Sequence, residues 1–167
     1  HTGGITEVLS GGEAVDVFTH PAAFRPKFIR RPDGSARFIG IPELACKNLQ
    51  RLTTYIHDVN GPTTICPGLT ATGPIPRSHE FEKTPPRFFL DESCCVADPL
   101  EDDQAVFFTT SRGLVILLGC AHVGVINTIS YIEQLMPGQP IHALIGGMHL
   151  LEAPQERIQW TVKELEK

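Results

Sequence analysis

"GLVILLGCAHVGVINTISYIEQL", residues 113–135, runs without a break from an apolar stretch through Gly-Cys-Ala-His into a helical repeat. Leu114 to Leu118 is apolar at every position, which suits a strand covered on both faces rather than one with a wet side. Val125, Ile129, Ile132 and Met136 then recur at helical spacing, giving a helix with one apolar stripe that Pro137-Gly138 ends. "PIHALIGG" at 140–147 reads as a second buried strand, so strand, helix and strand form an α/β unit. Upstream, "QAVFFTTSRGLVILLGC" reads as a strand pair folded around Arg112-Gly113. Downstream, "APQERIQWTVKELEK" reads as a helix with Ile158, Val162 and Leu165 facing inward.

The first hundred residues are less regular. "GITEVL" is a short helix, and "AVDVFTHP" alternates like a strand that ends at His20 before Pro21. "RPDGSARFIGIP" is a hairpin with Asp33-Gly34 at its turn, and "PELACKNLQRL" a helix with Pro42 in its first turn. From Thr53 to Leu90, short β-prone pieces are punctuated by Asn60-Gly61-Pro62, Pro67-Gly68 and Gly73-Pro74, as in an antiparallel meander or an irregular excursion. The expected organisation is one domain with a loop-rich excursion at about 21–100.

Composition narrows the function classes. The chain has 167 residues, 41% of them apolar, and a formal charge of −5 with no basic run beyond Arg30-Arg31, which argues against a nucleic-acid partner. No apolar run approaches the ~20 residues that span a bilayer, and the start lacks a signal-peptide pattern, so a cytoplasmic protein is expected. Five cysteines without a CxxC pair read as reduced thiols. The chain starts at His1 without a Met and stops inside a helical pattern, which reads as a piece of a longer protein.

Both buried strands end in small residues followed by a histidine: Gly119-Cys120-Ala121-His122 and Gly146-Gly147-Met148-His149. In α/β sheets ligands bind just beyond the carboxyl ends of strands, where rigid strands present exposed turns. Either histidine alone reads first as a hydrogen-bonded core or rim residue. In matched contexts, the two present neutral imidazoles as a metal requires. His57, His79 and His142 have no context that sets them apart from packing or surface residues.

"HTGG" (1–4), "HPAAFRPK" (20–27), "GPIPR" (73–77) with "EFE" (80–82), "DDQAV" (102–106), "GCAHVGVINT" (119–128) and "GGMHL" (146–150) occur in an order that resembles the metallo-β-lactamase-fold hydrolases. The subgroup most similar is that of the 7,8-dihydropterin-6-methyl-4-(β-D-ribofuranosyl)aminobenzene 5′-phosphate synthase-like proteins. The resemblance implies a four-layer αββα sandwich, of which this chain is the central and C-terminal part. It also implies a site for two divalent ions, with zinc expected first and manganese, iron or nickel as alternatives. By the same likeness His1 is the last histidine of an HxHxDH motif whose HxHxD is absent here, His122 the next ligand, and His149 stands where the superfamily usually has a bridging Asp. An imidazole nitrogen binds one metal and cannot span two as a carboxylate does.

The implied activity is hydrolysis of a small phosphorylated or anionic substrate by a metal-activated water. Asn127 and Cys120 are the candidate supporting residues beside the metals, although Cys120 reads first as a small buried thiol. His20 and Arg77 fall in loops over the implied pocket, where Arg25, Lys27 and Arg77 are candidates to receive a phosphate or are plain surface charges. Two other readings stay open: a thiol enzyme using Cys120, His122 and Asn127, and a non-catalytic binding module with a degenerate metal site.

Overall fold

A computed structural model of the chain describes residues 5–9, 15–83 and 86–167. The elements follow in the order α1 (Ile5–Leu9), β1 (Val15–Thr19), β2 (Phe28–Arg30), β3 (Ala36–Phe38), α2 (Glu43–Leu52), β4 (Thr53–Asp58), β5 (Thr63–Cys66), β6 (Leu69–Ala71), β7 (Phe88–Phe89), β8 (Ala105–Thr110), β9 (Gly113–Leu118), α3 (Val125–Leu135), β10 (Ile141–Ile145) and α4 (Gln155–Leu165). Two 3-10 turns, Pro21–Phe24 and Glu80–Glu82, punctuate the loops. The described residues form two compact units, one of residues up to 58 with 86–99, the other of 59–83 with 100–167. None of their helices is long and apolar enough to cross a membrane.

The first unit holds two small sheets. β1 and β4 pair in parallel from Val15↔Thr53 to Thr19↔Asp58, a geometry that needs a long connection, here one that includes α2. The β4 piece, expected in a meander, therefore pairs with a strand some forty residues back. β2 and β3 form the expected hairpin: Asp33 accepts from the Ser35 amide at 2.9 Å, and Gly34 takes φ +84°. β7 extends this hairpin on its other side. Lys27 donates to the buried Asp98 carboxylate at 2.5 Å, and Arg30 donates to the Cys94 carbonyl at 2.6 Å while its guanidinium lies over the Phe89 ring.

The second unit is built on a five-stranded sheet in the order β10-β9-β8-β6-β5. β8 and β9 are the expected antiparallel pair, and β10 runs parallel to β9 with α3 as the crossover. Leu114 and Ile116 of β9 are fully buried with Ile132 of α3, beside Phe107, Ala105, Ile75 and Val123. Each such aliphatic side chain contributes about 1.5–3 kcal/mol on burial. The α3 stripe is as expected, with Val125 and Ile132 buried and Ile129 and Met136 packed against the core.

Two expectations need correction. β10 is the edge of its sheet rather than a buried strand, and Ile145 is 57% exposed. On α4 the buried residues are Arg157 and Thr161, while Val162 and Leu165 are 49% and 43% exposed. One residue of offset turns a helix by about 100°, so the stripe 158/162/165 and the stripe 157/161 are neighbours on the same cylinder. Contact with α3 and with the Glu80–Glu82 turn, where Phe81 stacks on Trp160 at 5.9 Å between centroids, selects the second.

Candidate metal centre

β9 and β10 end side by side, with Leu117 opposite Ile145. Their pairing continues past the last strand residues: the Gly147 amide donates to the Gly119 carbonyl at 2.9 Å. Such closeness needs a glycine at 146, where φ is +134° and a Cβ would lie 2.3 Å from the Leu118 carbonyl oxygen. Beyond this point Met148 packs on Ala121, Val125 and Ile126, tying one loop to the other. The two strand-end histidines are thereby brought into contact: the rings of His122 and His149 have centroids 4.3 Å apart, tilted by 54°. His122 is half-buried and His149 exposed.

The backbone at both positions is unusual. Ala121 has φ +51° and His149 has φ +48°, left-handed conformations that cost a non-glycine residue about 1–2 kcal/mol. Such strain persists only where the surroundings over-determine it. At the first loop the surroundings are polar and buried. Asp103 accepts from the Val123 amide at 2.8 Å. Burial is the largest influence on this carboxyl and holds it above the ordinary carboxylate range. The Val123 amide opposes that, nearby Asp102 adds to it, and the His122 amide and Arg77 oppose it further.

Glu82 caps α3 from outside the helix. It is 3% exposed, and its two oxygens accept from the Ile126 amide at 3.0 Å and the Asn127 amide at 2.7 Å. Both amides belong to the first turn, where helix backbone donors lack partners and negative charge is favoured. A Cβ on Gly124 would lie 2.1 Å from this carboxylate, so the helix start and its cap fit only around a glycine. Asn127 completes the framework. Its Oδ1 accepts from the Ser78 and His79 amides at 2.8 and 2.9 Å and from the Ser78 hydroxyl at 3.3 Å, and its Nδ2 donates to the Val123 carbonyl at 2.7 Å.

The other sequence candidates are distributed as follows. His1 lies outside the described residues. Cys120 is a half-buried free thiol in the loop before His122. Arg77 is exposed and close enough to Asp103 to stabilise its charged form. His20 belongs to the first unit, where its Nδ1 accepts from the Ala22 amide at 3.2 Å and so caps the turn Pro21–Phe24. Lys27, a candidate phosphate receptor, is engaged instead by Asp98. His57 pairs with Asp16 and stacks on Phe18, while His79 bonds the Ser130 hydroxyl.

Zinc has Zn–N bonds of about 2.0–2.1 Å, so two imidazoles on one ion have centroids no more than about 6 Å apart, and the His122/His149 pair meets this limit. Among the described residues no group of three or more His, Cys, Asp and Glu side chains is arranged to hold a metal. Protein zinc sites use three or four such donors. The pair is a partial donor set.

Sequence reading assigned no role to Glu82 or Asp103, although both lie in stretches that carry the resemblance. Their partners stand 44 and 20 residues away, so no local pattern marks them as caps or clamps.

No family model matches the chain. It is 28% identical over its whole length to the 7,8-dihydropterin-6-methyl-4-(β-D-ribofuranosyl)-aminobenzene-5′-phosphate synthase of Methanocaldococcus jannaschii, covering 58% of that protein. It is 29% identical over 81% of its length to an uncharacterised protein of the same archaeon, covering 47% of it. The chain thus spans about half the length of the curated relatives it matches. Among solved structures, a metal-dependent hydrolase of the β-lactamase superfamily superposes on 99% of the chain with a TM-score of 0.80 and 24% identity, and 59% of that structure is covered. The chain has the metallo-β-lactamase fold.

Proposed function

We propose that this chain, with its metallo-β-lactamase fold, is part of a metal-dependent hydrolase acting on a small phosphorylated or otherwise anionic molecule. The single observation that carries the reading is the ring contact between His122 and His149 at the ends of two paired strands, which sets imidazole donors side by side. The two imidazoles suit a borderline-soft divalent ion such as zinc, with manganese, iron or nickel as alternatives. His1 is the further donor that the sequence resemblance supplies. In the superfamily's arrangement two ions share the site. What they supply when bound is Lewis acidity and acidification of water at neutral pH.

The chain's own residues have separable tasks in this reading. His122 and His149 are the ligands. Glu82 and Asn127 are positioning residues that hold the turn after His122 through the first turn of α3. Arg77, exposed and on the same unit, is the candidate to receive substrate phosphate as a forked donor. The archaeal relative is named for a 5′-phosphate, which agrees with an anionic substrate, although it is named as a synthase. Cys120 stays a rim thiol, and its four free companions suit a reducing compartment, so we place the protein in the cytoplasm.

The test uses the intact protein loaded with zinc and a nitrophenyl phosphodiester or monoester. Turnover that disappears on chelation, returns on adding metal, and survives alkylation of the thiols supports the reading. Turnover that survives chelation and disappears on alkylation overturns it in favour of a thiol enzyme. An intact protein that takes up no metal overturns it in favour of a binding module.

A further inference from the structure

We infer that Asp103 is the positioning residue for His122: its carboxylate, entering from the loop before β8, fixes the turn that aims this imidazole at His149. The inference rests on the metal reading above and assigns to that site a residue which no likeness gives a role.

The geometry points to Asp103 in three steps. First, the turn at 121–124 is not self-sufficient. Ala121 takes a left-handed φ of +51°, and the only backbone bond closing the turn runs from the Gly124 amide to the Ala121 carbonyl at 3.1 Å. Second, the Val123 amide, the donor that follows His122 in this turn, is taken by Asp103 at 2.8 Å. A carboxylate holds such an amide more firmly than a neutral acceptor does, because a hydrogen bond to an ionised group is shorter and stronger. Third, Val123 is gripped at both ends, its amide by Asp103 and its carbonyl by the Asn127 side chain. The peptide that follows His122 therefore sits between a clamp from the β8 side and a clamp from α3, which fixes the backbone from which the ring projects toward His149. Asp103 is itself held in place, its own amide donating to the Leu100 carbonyl at 3.1 Å.

Removing such support from a ligand loosens a metal site by about 10- to 100-fold in affinity. The experiment titrates zinc into the intact metal-free protein against a chromophoric chelator, for the wild type, Asp103→Ala, Asp103→Asn and the core variant Ile132→Val. Ile132 is fully buried on α3 and its side chain makes none of the hydrogen bonds of the turn, so this last variant loses packing while those bonds stay in place. In parallel, amide spectra of the metal-free proteins follow the Val123 N–H signal, which bonding to a carboxylate moves downfield and protects from exchange.

Expected are a loss of zinc affinity of about tenfold or more in Asp103→Ala, a smaller loss in Asp103→Asn, which keeps one acceptor oxygen, and none in Ile132→Val. The Val123 amide signal should move upfield and exchange faster in Asp103→Ala alone. A wild type that binds zinc while Asp103→Ala binds it equally well overturns the role of Asp103 and leaves the metal reading standing. A wild type that binds no zinc overturns both. Equal loss in Asp103→Ala and Ile132→Val reduces Asp103 to a stability residue and also overturns the inference.

Discussion

Replacing Glu82 by Ala tests whether the α3 start is held by a carboxylate from outside the helix. The variant strips the acceptor from two buried amides, those of Ile126 and Asn127. Each orphaned donor costs about 1–3 kcal/mol, whereas relief from burying the carboxylate returns part of that, so a net loss of about 3 kcal/mol is expected. Negative charge at a helix N-terminus adds about 0.3–1 kcal/mol to the wild type. Glu82→Gln keeps one acceptor and turns an NH2 toward the other amide, and should lose about half as much. Trp160, the single tryptophan, stacks on Phe81 in the same unit, so its fluorescence during urea unfolding reports the right part of the molecule. With a slope of about 2 kcal/mol per molar urea, the midpoint for Glu82→Ala should fall by about 1.5 M. A loss below about 0.5 kcal/mol would mean that water satisfies these amides and that the cap has no energetic role.

Three further outcomes follow from the same geometry. Gly124→Ala places a methyl where Glu82 sits and should be strongly destabilising alone; in a Glu82→Ala background the steric part vanishes, so the double variant should be less damaged than the sum, and strict additivity would contradict the contact. Gly146→Ala meets the Leu118 carbonyl at φ +134° and should cost more than about 2 kcal/mol while also parting the two histidines, seen as loss of zinc binding beyond that of an equally destabilised core variant. The exposed Asp91 carboxyl is held below the ordinary carboxylate range by the Ser93 hydroxyl first, then by the Val96 and Cys95 amides. Its bonds therefore support the loop above a pH of about 3.9 and are lost as pH falls through the lower folded value, so a carbon NMR titration should give a midpoint below the ordinary one, and a midpoint at or above it would refute the turn.

The sequence made legible what depends on short-range pattern. The β8–β9 turn, the doubly apolar β9 and the stripe of α3 follow from residue spacing alone, and the structure has them as read. So does the hairpin at Asp33-Gly34, because a turn residue announces its own geometry. What escaped was set by distant partners. β4 pairs with β1 across a gap that no spacing encodes, and the edge position of β10 depends on what lies beside it. The face of α4 is not legible in its residues because an inward Arg157 contradicts the preference of charged residues for water, and only the docked helix shows it buried.

The candidate site divides in the same way. His122 and His149 stood out because each follows small residues at a strand end, a feature visible in a few letters. That their rings touch is a property of the parallel pairing of β9 with β10 and of the bond from Gly147 to Gly119. Glu82 and Asp103 stayed hidden, since an acidic residue in a loop looks the same whether it faces solvent or two buried amides.

The most direct measurement is anomalous diffraction at the zinc edge from crystals of the intact protein grown metal-free and then soaked in zinc. The account predicts a peak bonded to a nitrogen of His122 or of His149, or of both, at about 2.0–2.1 Å, with the two rings still adjacent. Zinc bound elsewhere, with both rings left in contact and uncoordinated, would contradict it.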